Sequence, residues 1–291
     1  MLPNFIVIGA AKAGTTALYW YLAEHPAVFM SPVKETNYFA YGLDSAGRLL
    51  YGDPDVHRFP IKSLSEYEGL FVEAGHAGAV GEASPIYLEC PQAAGRIRAL
   101  LPGARIICSL RQPVDRAYSD YQMYLRRRGR RLNPARDLKA TSDWARPDSR
   151  WMQLGRYHEQ LVRYFEAFPR SHIHVSLLDD LKRNPLELTQ DVYRFLQIDP
   201  AFVPDFETRH AIGGVPASPM LEGIFTSSAL RTAVGPWLPK LGATWVRRLR
   251  ARTMRQAPLL PAALRTELTR HFRDDIARTS DLIGRSLEHW L

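Results

Sequence analysis

The sequence predicts an α/β fold: a central parallel sheet of about five strands flanked by helices, extended by a mainly helical C-terminal region. Three observations predict it. Short apolar runs alternate with helical patterns, the signature of a parallel sheet covered on both faces. The chain opens on a buried strand, a glycine turn and a helix, Phe5 to Leu22. Its 291 residues, 46% apolar and 23% charged, suffice for a real core and exclude a disordered chain.

The strands fall at Phe5–Gly9, Val28–Met30, Gly78–Gly81, Arg105–Leu110 and Ile173–Leu177, where short apolar runs are bounded by turn residues. Helices are expected at Thr15–Glu24, Pro91–Leu100, Val114–Arg128, Arg156–Phe168 and Leu186–Leu196, several introduced by Pro or a short polar residue. Residues 40–75 and 129–152 show no period, and loops of that length are usually functional, so they are candidate walls of an acceptor site. From Arg209 to Pro261 the chain is rich in Gly, Pro, Arg and Trp, and an amphipathic helix near Ala262–Ile283 closes it. We expect one domain over 1–291, with a nucleotide-binding α/β core at 1–200 and an acceptor-site lid at 201–291.

The excess of 38 Lys and Arg over 30 Asp and Glu gives a net charge of +8, which favours an anionic partner without choosing among small ligands, membranes and nucleic acid. Cys90 and Cys108 make neither zinc spacing nor a disulfide framework, which fits a reducing compartment. The first apolar segment lacks a basic leader and is too short to span a membrane, so a cytoplasmic protein is expected. Peripheral contact with the inner membrane surface is a further expectation from Pro236–Arg255, which mixes Trp, Leu and Arg like an interfacial helix. The Arg126–Arg131 run, RRRGRR, is either a solvated helix end or a surface for an acidic acceptor or anionic lipid.

The loop after the first strand, GAAKAGTT, is built for an anion. Its glycines let backbone N–H groups converge, the helix N-terminus adds positive potential, and Thr15 and Thr16 add hydroxyls. A P-loop is implied, but Lys12 lies two residues before Gly14, whereas a kinase lysine directly precedes the Ser or Thr. The candidate for the strand that carries a kinase's magnesium-binding acid, RIICSLRQP, ends in Ser109 and Arg111 with no acidic residue. A group carrying less charge than a phosphoryl, such as a sulfuryl, needs only lysine and backbone donors.

These residues carry a family likeness. FIVIGAAKAGTT resembles the 5′-phosphosulfate loop of sulfotransferases that use 3′-phosphoadenosine 5′-phosphosulfate (PAPS), and SLRQPVDRAYSDYQMY resembles that family's 3′-phosphate segment. SPVKETNYFA looks like the Lys-Glu-x-x-Tyr-Phe segment of its bacterial and heparan-type branch, and GEASPIYL is similar to the segment lining the cleft after the third strand. FPRSHIHVSLLDDLKRNP looks like the last core strand with its acidic turn and helix. The likeness covers about 4–200. It implies a P-loop NTPase-like three-layer fold and PAPS as sulfuryl donor, with no metal required.

By the same resemblance Glu35 is the general base and Lys12 stabilises the leaving phosphate. Lys12, Ala13, Gly14, Thr15, Thr16, Arg111 and Ser119 bind the donor, with Arg209 as a further candidate. Lys34, Tyr38, Glu82 and Ser84 are the candidate substrate-binding residues. Ala83 stands where heparan-type members often carry Lys, and Leu178 where the cytosolic branch has an aromatic. Competing local readings are a Glu35–Lys34 pair, an Arg111–Asp115 salt bridge, and His25, His57, His158 or His210 as surface or core histidines rather than bases. The acceptor is expected to be a carbohydrate, glycolipid or natural-product hydroxyl, less readily an amine. The alternatives are a metal-dependent P-loop kinase of a small metabolite and a basic nucleic-acid-binding protein, although no nucleic-acid reader motif is present.

Overall fold

The computed structural model describes residues 1–52, 57–206 and 258–291, together with the backbone of the short antiparallel pair Val215–Pro216 and Met254–Arg255. Arg209, His210 and most of the Pro236–Arg255 segment lie outside the described residues.

Five strands, β1 (Phe5–Gly9), β2 (Val28–Met30), β3 (Ala79–Ala83), β4 (Arg105–Leu110) and β5 (Ile173–Leu177), form one sheet in the order β2-β3-β1-β4-β5. Every pairing is parallel. Side chains alternate between two apolar layers: Ile6 and Ile8 join one cluster, Phe5 and Val7 the other. That two-sided burial is why β1 reads as an unbroken apolar run. At Gly81 a Cβ would lie 2.3–2.5 Å from the ring of Phe5, so only glycine lets β3 pair this closely with β1.

Helices α1 (Thr15–Glu24) and α10 (Pro185–Leu196) cover one face. The other carries α4 (Ala93–Leu100), α5 (Pro113–Arg127) and α8 (Tyr157–Ala167), joined by the C-terminal helices α11 (Ala262–Thr269) and α12 (Arg273–Ile283). Gln112 caps α5 by accepting a hydrogen bond from the Asp115 N–H at 2.8 Å, and Pro113 occupies the first turn.

Several boundaries differ from expectation. β3 ends two residues later than predicted, which puts Glu82 inside the strand rather than after it. The helix expected at Pro91–Leu100 is preceded by a separate turn, α3 (Ile86–Glu89), and starts only at Ala93. The last helix is broken at Arg270–Phe272 by a tight 3-10 turn. The loop-rich segments hold the short helices α2 (Leu64–Gly69), α6 (Pro134–Asp137) and α7 (Arg150–Gln153), each too brief to print a helical period. A final short helix, α9 (Leu178–Arg183), follows β5 directly.

The described end of the C-terminal region joins the layer that carries α5 and α8. Residues 262–291 pack against the start of α5: Gln112 Nε2 donates to Thr269 Oγ1 at 3.1 Å and to the Trp290 carbonyl at 3.2 Å. Arg265 pairs with Asp115 through both carboxylate oxygens, and Arg285 likewise with Asp180. Trp290, 1% exposed, donates its indole N–H to Asp179 at 3.0 Å.

Candidate functional site

The carboxyl ends of β1 and β4 are neighbours in the sheet, yet α1 returns along one face and α5 along the other. Such a divergence opens a crevice where α/β sheets bind ligands. A cleft of about 620 Å³ lies there, lined by Lys12, Gly14, Thr15, Thr16, Glu35, Arg111 and Ser119 among others.

The loop between β1 and α1 is held by its neighbour strand. The Ala10 N–H donates to the Ser109 carbonyl at 2.6 Å, and the Ser109 hydroxyl donates to the Ala13 carbonyl at 2.7 Å. The Ser109 hydroxyl is thereby committed to shaping the loop. Gly14, at φ +88°, makes the left-handed turn that admits α1, and no side chain caps the helix there. The free N–H groups of the first turn point out as an anion site. Ala13 is the exception among the expected donor residues: its N–H donates to the Ala10 carbonyl at 3.2 Å and its methyl group is buried in the core.

Lys12 sits in left-handed backbone at φ 70°. Burial lowers its pKa to about 8, opposed by Asp120 and reinforced by Arg126, Arg111 and Arg127. Its ammonium donates only a weak bond, 3.6 Å to the Met123 sulfur. A poorly satisfied cation among three other cations is poised to meet an anion.

Arg111 is not paired with Asp115, which is taken by Arg265. Instead Arg111 Nη1 donates to the Lys12 carbonyl at 3.1 Å, and its own carbonyl accepts from the Tyr157 hydroxyl at 2.8 Å. The arginine thereby spans from the β4 end to the anion loop. Ser119 faces the same cleft two helical turns along α5.

Glu35 lines the cleft with its side chain 49% exposed, in an ion pair with Lys34 at 2.8 Å. Glu35 is thus a loop glutamate paired with Lys34 that also faces the cleft. It adopts φ 62° and Asn37 φ 55°, conformations costly for non-glycine residues that surrounding contacts must hold.

None of the four residues expected to touch substrate is among those that line this cleft. Lys34 is spent on Glu35. Tyr38 stacks on Tyr67, centroids 4.5 Å apart, and lines a separate groove with Lys62 and Arg96. Glu82 and Ser84 are wholly buried, Glu82 inside β3 and Ser84 directly after it.

Sequence reasoning missed part of the lining. Asp120, Met123, Arg126 and Arg127 share the Ser119 side of α5, at the helical spacing that extends a functional position along one face. Arg126 and Arg127 thus belong to the cleft wall rather than to a purely solvated helix end. His57 lines the cleft too, 3.4 Å from Glu89. His25 is a core residue, bonded to the Asp199 carbonyl and the Ala27 N–H, and His158 is not on the cleft.

The chain is similar to known proteins over most of its length. The chain is 30% identical over 210 residues to the bifunctional heparan sulfate N-deacetylase/N-sulfotransferase of Drosophila melanogaster, covering 68% of this chain and 20% of that protein. It is 28% identical over 309 residues to the mouse enzyme 4 of that name, covering 100% of this chain and 31% of the other. It thus spans a third or less of these relatives' length. A crystallised sulfotransferase from Alicyclobacillus acidocaldarius superposes with a TM-score of 0.70 at 29% identity, covering 100% of this chain and 99% of that one. The family model described as "Sulfotransferase family" matches residues 3–202, the whole of the sheet and its cleft, and the chain belongs to that family.

Proposed function

We propose that the protein transfers the sulfuryl group of PAPS to a hydroxyl, or secondarily an amine, of a carbohydrate, glycolipid or natural-product acceptor. One observation carries the reading: Lys12, the open N-terminus of α1, Arg111 and Ser119 converge on a single cleft, giving anion donors at two separate points. A cleft of about 620 Å³ also lies in the range usual for small-ligand sites.

When bound, PAPS supplies an activated sulfuryl group on a phosphate leaving group. The N–H groups at the start of α1, with Thr15 and Thr16, hold the phosphosulfate, and Lys12 neutralises the charge that develops on the bridging oxygen. Arg111 presents a guanidinium fork to the 3′-phosphate and Ser119 a hydroxyl. Glu35 takes the acceptor's proton as its oxygen attacks in line, which requires it to release Lys34. This division of roles needs no metal. Arg209 lies outside the described residues, and a role for it in gripping the 3′-phosphate stays part of the proposal.

We read residues 1–291 as one sulfotransferase domain working in a reducing compartment such as the cytoplasm, where the buried Cys90 and Cys108 stay as free thiols. Among the described residues no helix is long and apolar enough to cross a membrane. The relatives' names specify heparan sulfate, an anionic glycan, and Arg126, Arg127 and Arg150 on the cleft wall suit an acidic acceptor.

A screen with sulfur-labelled PAPS across de-N-sulfated heparan oligosaccharide, glycolipids and simple phenols tests the transfer and ranks the acceptors. Thermal stabilisation tests the donor. At a hundredfold excess over Kd, 3′,5′-adenosine bisphosphate should stabilise by about 2.7 kcal/mol. Stronger stabilisation by ATP with magnesium would overturn the reading in favour of a kinase.

A further inference from the structure

Glu82 is the most completely buried acid of the described residues near the cleft, 0% exposed inside β3. Four hydroxyl groups converge on it. Thr36 and Ser84 each donate to Oε2 at 2.7 Å, and Tyr67 and Tyr87 donate to Oε1 at 2.9 and 2.8 Å. A lone buried carboxylate is expensive, and a carboxylate with all its acceptor sites filled is a rigid anchor.

One of those donors belongs to the turn that carries Glu35, and a second binds it. Thr36 follows Glu35 directly, and the Ser84 hydroxyl, while donating to Glu82, accepts from the Asn37 N–H at 3.1 Å. The Glu35 N–H itself donates to the Ala83 carbonyl at 3.0 Å. Residues 35 to 37 are thus tied at three successive positions to residues 82 to 84 at the end of β3. The ties fall where Glu35 and Asn37 hold left-handed backbone at φ 62° and 55°. Left to itself, such a turn relaxes to negative φ, which redirects the Glu35 side chain.

We propose that Glu82 is a positioning residue: by gathering the hydroxyls of Thr36 and Ser84 it fixes the Glu35 turn so that the Glu35 carboxylate faces the cleft. The inference rests on the reading of Glu35 as the base. It assigns Glu82 no contact with donor or acceptor.

The test compares Glu82→Gln, Thr36→Val and Thr36→Ser with the wild-type chain. Amide hydrogen exchange over the peptide containing Glu35 to Asn37 should quicken at least tenfold in the first two variants and return to normal in Thr36→Ser, which keeps the hydroxyl. PAPS consumption, with de-N-sulfated heparan oligosaccharide or water as acceptor, should fall in the same two variants. A misplaced catalytic group costs on the order of 10²-fold. The Kd for 3′,5′-adenosine bisphosphate should stay within twofold, since no donor contact is touched. Unchanged exchange at 35 to 37, or donor affinity lost in step with turnover, overturns the proposal and leaves Glu82 as general scaffold. Glu35→Gln separates the two levels. Full activity in that variant removes the base and the inference together, whereas lost activity there with normal turnover in Glu82→Gln and Thr36→Val removes the inference alone.

Discussion

Lys12 is the residue whose surroundings say most. Its pKa near 8 reflects burial beside three arginines, only partly offset by Asp120. Between about 8 and its ordinary 10.5 the folded chain binds fewer protons than the unfolded one, so wild-type stability rises with pH across that window. Replacing Lys12 by Met should therefore raise Tm at pH 7, on the order of the 2–4 °C that 1 kcal/mol gives in a chain of this size. That gain should shrink as pH climbs from 8 towards 10.5, which calorimetry checks. The donor reading predicts the opposite cost: Lys12→Met should lose about 10²–10³-fold in turnover. Wild-type affinity for 3′,5′-adenosine bisphosphate should weaken as pH rises past 8 and the ammonium is lost. Arg111 divides the readings in another way. Arg111→Ala should abolish the preference for 3′,5′-adenosine bisphosphate over adenosine 5′-phosphate, measured by calorimetric titration, while equal affinity for both in the wild type would refute the role.

At the level of elements, the site depends on how closely three strands pack. β1 delivers the anion loop, β4 delivers Arg111, and β3 carries the floor beneath Glu35. Gly81 sets the β1–β3 spacing, because Phe5 fills the space a side chain would take. Gly81→Ala should destabilise by about 1–3 kcal/mol through overpacking, visible as a lower urea midpoint. Strands β1 and β4 were legible in sequence since each is a short apolar run buried on both faces. The end of β3 was not, because Glu82 and Ser84 look like cleft residues until their partners Thr36, Tyr67 and Tyr87 are seen around them. No local pattern announces a carboxylate satisfied by four hydroxyls from three segments. The α5 face was legible only in part: Arg111 and Ser119 came from motif likeness, while Met123 and Arg126 follow from the helical repeat once the cleft is known.

Across the whole molecule the C-terminal helices act as a buttress. α11 and α12 bind α5 through Arg265 and Asp115, and α8 through Asp275, whose carboxylate accepts the N–H groups of Tyr157 and His158. Tyr157 in turn holds the Arg111 carbonyl, so the chain's end is linked to the cleft through a sequence of named bonds. Trp290→Ala, which empties a buried site beside Gln112, should cost about 3–5 kcal/mol. It should also weaken binding of 3′,5′-adenosine bisphosphate, which separates a buttress from an independent tail. The amino-acid sequence by itself determined the strand–loop–helix that makes an anion site and the wrong spacing of its lysine for a kinase, because those depend on neighbours within a dozen residues. Only the tertiary structure decided which charges share the cleft, that Asp115 belongs to Arg265, and that Glu82 stands beneath Glu35, because contacts between distant segments are set by strand order and packing.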